Sequence, residues 1–150
     1  MRRVIAFLIA VGVMVVLGSV AHSLFVQDAW SHAAGTGEQA APAALATGDR
    51  ISWILHDLVG LEPLYGALSA AALLGAFLAA GLVARITGLR PIVFAVAGAV
   101  AIYVLFTVMK MELGTVGVFG ARGTMGLGAQ MAAGLLAGFL FAQLTRPSES

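Results

Sequence analysis

The sequence contains no cysteine, so it forms no disulfide, carries no Cys-ligated zinc or iron–sulfur cluster and offers no thiol nucleophile. Membrane thiol oxidoreductases of this size are excluded on that ground alone. Charge is also scarce, at 10% of 150 residues. None of it falls within Val4 to Ala21, Leu64 to Ala84, Pro91 to Met109 or Thr124 to Leu144. A self-contained ion or proton pump keeps an ionisable group near mid-bilayer, and these runs supply none. Phosphate-binding loops, dinucleotide fingerprints and basic–aromatic patches are missing, so no nucleic-acid partner is expected. No motif names a reaction, and the reading leans away from an enzyme.

What the chain has is apolar surface: 61% of its residues are hydrophobic and its mean hydropathy is +1.01. A soluble domain of that composition cannot clothe its own exterior. A hydrocarbon core roughly 30 Å thick needs about 20 apolar residues as helix. The uncharged runs therefore predict an all-α integral membrane protein, a four-helix bundle with spans over 4–26, 64–84, 91–110 and 124–144 in one membrane domain. Helix is preferred to a barrel because the runs are continuously apolar, without the alternation of a barrel strand.

The basic residues orient the bundle. Arg2, Arg3, Arg85, Arg90 and Arg146 flank one side, against Arg50, Lys110 and Arg122 on the other. The positive-inside rule then places both termini in the cytoplasm of an inner-membrane protein. A second reading of the N-terminus is a secretory signal, with Arg2 and Arg3 before an apolar core and Ser19-Val20-Ala21 as a cleavage site. A retained anchor is preferred, because Leu24, Phe25 and Val26 continue the helix past that site.

Outside the spans, Gln27 to Thr47 reads as an outer loop rich in Ala, with Gly, Ser and one Pro and no periodicity. From Thr47 to Gly60, Ile51, Ile54, Leu55 and Leu58 recur at helical spacing opposite Asp49, Arg50, Trp53, His56 and Asp57. That pattern predicts a short amphipathic helix in the outer interface, within a segment 27–63 that is otherwise loop. Between the second and third spans, Gly88 suits a helix stop and Pro91 a first turn. Gly114, Gly117, Gly120, Gly123 and Gly126 recur every third residue, which an α-helix would smear round its cylinder, so an extended loop is expected through Gly123.

Small residues mark the expected packing faces. Ala71, Gly75 and Ala79, and also Ala72, Ala76 and Ala80, have the small-xxx-small spacing that lets helix backbones approach. The second helix is therefore expected at the centre. Gly126, Gln130, Gly134 and Gly138 repeat the device in the fourth helix, and Gln130 is expected to hydrogen-bond across the bundle.

Chemistry, if any, would assemble on the outer face, where His22, His56, Asp57, Lys110, Glu112 and Arg122 fall near one membrane surface. The plain alternative is that ionisable groups simply sit at an interface. His22 and His56, with His32 as a spare, are the candidate metal ligands, for haem or copper, although no two share a ligand spacing on one helix. No cofactor is predicted. Arg122 in its glycine-rich loop would suit an anion, and a single arginine meeting lipid headgroups is the simpler account.

The leading expectation is a non-catalytic membrane protein working through helix packing, as an accessory subunit of a membrane complex or a homo-oligomer. The competing one is an outer-face binding or redox protein holding a metal, haem, quinone or lipid headgroup near His22, His56 and Arg122. Small-solute permeation past Gln130, Tyr103 and glycine backbones is a third.

Overall fold

The computed structural model describes residues 1–34, 52, 62–113 and 123–146. Its elements are α1 (Arg2–Ala34), α2 (Glu62–Thr87), α3 (Arg90–Leu113) and α4 (Thr124–Leu144). No strand occurs among the described residues. Among the described residues, four stretches are long and apolar enough to cross a membrane: Arg2–Phe25, Tyr65–Thr87, Arg90–Glu112 and Thr124–Leu144. The shortest helix, α4, is about 32 Å long at 1.5 Å per residue, enough for a hydrocarbon core.

The ends of the helices follow local breakers more than hydropathy. Helix α1 continues through Gln27 to Ala34, where a loop was expected from Gln27. No glycine or proline stands between Gly18 and Gly35, and Ala29, Ala33 and Ala34 are strong helix formers, so nothing stops the helix sooner. Helix α2 starts at Glu62 with Pro63 in its first turn, where the missing proline N–H costs no hydrogen bond. Helix α3 runs from Arg90 to Leu113, with Pro91 in its first turn.

The α2–α3 hairpin closes as its residues require. Gly88 has φ of +70° and its N–H reaches the Ala84 carbonyl at 3.1 Å, a left-handed cap that any Cβ would strain. The Thr87 hydroxyl donates to the Val83 carbonyl at 3.1 Å. Gly123, before α4, is extended at φ −90° and ψ 158°, as the three-residue glycine spacing predicts there. The rest of that loop, with Arg122, lies outside the described residues, as does the expected amphipathic helix over 47–60 apart from Ser52.

The helices form a ring in which α1 touches α2 and α4, and α3 touches α2 and α4; α2 and α4 meet slightly across the diagonal. The α3–α4 interface is the most extensive and the α1–α2 seam the slightest of the four neighbouring pairs. Glycine explains the first. A Cβ on Gly98 would collide with the Gly134 carbonyl, and one on Gly138 with the Phe94 carbonyl. The Gly134-xxx-Gly138 pair is thus spent bringing α4 against α3, with Gly126 and Gln130 also buried on α4.

In this ring no helix is central: α2 touches α1 and α3 and, slightly, α4, and α4 is the most deeply buried of the four described helices. Of its two small-residue rows, Ala72, Ala76 and Ala80 turn toward the bundle, while Ala71, Gly75 and Ala79 face outward. No atom lies within 4 Å of where a Cβ on Gly75 would stand. Among the described residues Gly75 and Ala79 therefore face outward from the bundle, unpacked by another helix. Two equivalent rows cannot both face one bundle, because they lie about 100° apart on the helix.

Candidate functional site

Two places in the bundle gather groups capable of more than filling space, one in each half. The end holding Arg2, Arg3, Arg85 and Arg90 is called the arginine end. The other half holds a buried polar node.

The node draws on three helices: Ser19, His22 and Ser23 of α1, Tyr65 and Ser69 of α2, and Gln130 of α4 are all buried. The Gln130 Nε2 group donates to the Gly18 carbonyl at 2.8 Å. The Tyr65 hydroxyl donates to Gln130 Oε1 at 2.6 Å. Gln130 thus hydrogen-bonds across the bundle, as its place on a small-residue face suggested. The helical Gly18 carbonyl can accept this bond because its oxygen has a second lone pair. Gly18 itself is required: a Cβ there would stand 2.6 Å from the Tyr65 hydroxyl and 2.8 Å from Gln130 Oε1. The Tyr65 ring stacks on Phe106, 6.2 Å between centroids and 20° apart in plane.

This arrangement ties α1, α2 and α4 together with neutral groups. The Ser69 hydroxyl, wholly buried, has no hydrogen-bond partner among the described residues. Of the expected outer cluster, His22 is buried in α1, whereas Lys110 and Glu112 are exposed near the end of α3. His56, Asp57 and Arg122 lie outside the described residues, and so does the side chain of His32. Among the described residues no group of three or more His, Asp or Glu side chains could hold a metal ion.

At the arginine end each helix contributes one phenylalanine to a shared cluster. Phe77 stacks on Phe141 at 4.7 Å, Phe94 lies 5.2 Å from Phe141 and 5.6 Å from Phe77, and Phe7 meets Phe77 edge-on at 6.2 Å. Above it, Arg90 reaches across to α4. Its Nη2 donates to the Thr145 hydroxyl at 2.7 Å, and that hydroxyl donates to the Phe141 carbonyl at 2.6 Å. The guanidinium sits 4.9 Å from the centre of the Phe94 ring, a cation–π distance. Arg90 Nε is buried without a partner among the described residues. Arg2 Nε donates to the Leu144 carbonyl at 3.1 Å, closing α1 onto α4.

A groove of about 480 Å³ opens on this end. Its lining includes the buried Phe77, Phe94 and Phe141, the exposed Leu74, Leu78 and Leu82 along α2, and Val4 and Phe7 from α1. Arg3, Arg85 and Arg90 line its polar end. The slight α1–α2 seam leaves it open. No carboxylate neutralises these arginines among the described residues, because the acidic residues at 28, 62 and 112 belong to the opposite half and Glu149 lies outside the described residues.

Sequence reasoning placed Arg85 and Arg90 on one flank of the bundle but missed the groove and the aromatic cluster. A signal existed: Phe7, Phe94 and Phe141 each stand within two turns of the arginine end of their helices. Depth matching across helices would have brought them together. The chain matches no protein-family model, no curated protein and no solved structure.

Proposed function

We propose that this chain is a four-pass inner-membrane protein with both termini in the cytoplasm, acting through helix packing as an accessory subunit or a homo-oligomer. Catalysis is not part of the reading. Membrane residence is supported by the exterior: Leu8, Leu78 and Leu82 are each more than 60% exposed, and other exposed apolar side chains, such as Val96 on α3 and Leu136 on α4, extend the coat to all four helices. An aqueous surface would not tolerate such a continuous apolar coat. The orientation rests on the arginine asymmetry.

The observation that carries the packing role is the outward row Ala71, Gly75 and Ala79 of α2. The same small-residue device is consumed inside the bundle at Gly98, Gly134 and Gly138, while this row is left free for a helix of another chain. Permeation is less supported, because the Gln130 amide is engaged at both its oxygen and its nitrogen.

The test is mass measurement of protein purified in mild detergent, after confirming that the chain stays in the membrane pellet through an alkaline carbonate wash. The expected particle is a homo-oligomer or a complex with a second protein, reduced to the single chain by Gly75→Leu. A strictly monomeric, partnerless wild-type particle counts against the proposal.

A further inference from the structure

The groove at the arginine end has the form of an amphiphile. From Leu74 to Arg85 it follows α2 for about 16 Å at 1.5 Å per residue, close to half of a hydrocarbon core roughly 30 Å thick. Its inner stretch is leucine and phenylalanine, and its polar end is Arg3, Arg85 and Arg90. We propose that this groove is a binding site for an anionic phospholipid, with one acyl chain lying along Leu78 and Phe77 and the headgroup phosphate between the arginines.

Charge complementarity selects this occupant over a helix or a zwitterionic lipid. Three guanidiniums converge on one end, and no carboxylate meets them among the described residues. Arg90 commits one donor to Thr145 out of the five a guanidinium carries. Basic pockets between membrane helices on the cytoplasmic side are suited to anionic headgroups. The groove also opens at the seam where α1 and α2 touch least, so a lipid enters sideways from the bilayer. A transmembrane helix would instead meet a charged end with nothing to neutralise it.

The inference rests on membrane residence and is independent of oligomer formation. Full-length protein in mild detergent is titrated with dioleoylphosphatidylglycerol or dioleoylphosphatidylcholine and followed by native mass spectrometry. Phosphatidylglycerol is expected to bind at concentrations where phosphatidylcholine, with identical acyl chains, does not. Arg3→Ala with Arg85→Ala weakens binding about twenty-five-fold, at roughly fivefold per arginine. Gly81→Phe tests the hydrocarbon half separately. Gly81 lines the groove and a Cβ there meets nothing within 4 Å, so the substitution adds its bulk at the groove wall, and an unchanged Tm checks that the bundle is intact. It is expected to abolish the bound lipid with every arginine in place.

Equal binding of the two lipids overturns the proposal, as does undiminished phosphatidylglycerol binding by Gly81→Phe. Displacement of the lipid by millimolar inorganic phosphate also overturns it, since that marks a free-anion site. Release of the chain in the carbonate wash would instead sink the membrane reading, whatever lipid the chain held.

Discussion

The side-chain amide of Gln130 on α4 donates its hydrogen to the main-chain carbonyl of Gly18 on α1 across 2.8 Å. Two residues 112 apart in sequence are thereby held face to face in the bundle interior. Glycine at one end and an amide at the other are both needed, the first for room and the second for reach. Replacing the amide removes this bond and the one from Tyr65. Hydrogen bonds between membrane helices average about 0.6 kcal/mol, so Gln130→Leu is expected to cost about 1 to 2 kcal/mol. Thermal unfolding in detergent, followed by circular dichroism, reads this as a lower Tm. An unchanged Tm would mean that the node contributes nothing to stability.

Gly18→Ala attacks the same contact from the other side. Its methyl group would stand 2.6 Å from the Tyr65 hydroxyl, closer than packed atoms come. Overpacking of this kind costs about 1 to 3 kcal/mol. In the double variant with Gln130→Ala the clash with the amide is relieved, so the two losses should sum to less than their separate values. Strict additivity in a double-mutant cycle would argue against the contact.

Glycines that touch a neighbouring backbone should behave differently from those that do not. Gly138→Ala and Gly98→Ala each drive a methyl into a facing carbonyl and are expected to destabilise by about 1 to 3 kcal/mol. Gly12→Ala and Gly128→Ala meet no atom within 4 Å. There the better helix propensity of alanine, worth up to about 1 kcal/mol in water, should leave stability unchanged or raised. Equal destabilisation by all four would contradict the α3–α4 packing.

Ser69 offers the opposite prediction. Its buried hydroxyl has no partner among the described residues, and leaving such a group unsatisfied costs about 1 to 3 kcal/mol. Ser69→Ala is expected to keep or raise the Tm. A clear loss on Ser69→Ala would reveal an acceptor for that hydroxyl.

Much of the architecture was legible in the residues. Gly88 and Pro91 marked the α2–α3 hairpin because backbone conformation at those positions is a local matter. Gln130 announced a bond across the bundle because an amide in an apolar run has to find a partner. Its partner was not legible, since the Gly18 carbonyl is a main-chain group that any residue could present. The extension of α1 to Ala34 is not legible from hydropathy, because Gln27 to Ala34 is helical without being continuously apolar.

The sequence by itself determined that there are four long apolar helices and which ends of them carry arginine. Both follow from composition along the chain. The tertiary structure decided how each helix is rotated about its axis. A helix that is apolar all round has no amphipathic stripe to aim it, so Ala80 turning inward while Gly75 turns outward was settled by shape. The same rotation brings Phe7, Phe77, Phe94 and Phe141 together and leaves the α1–α2 seam open beneath Arg3, Arg85 and Arg90. Close packing against the neighbouring helices, and not any local preference, fixes those angles.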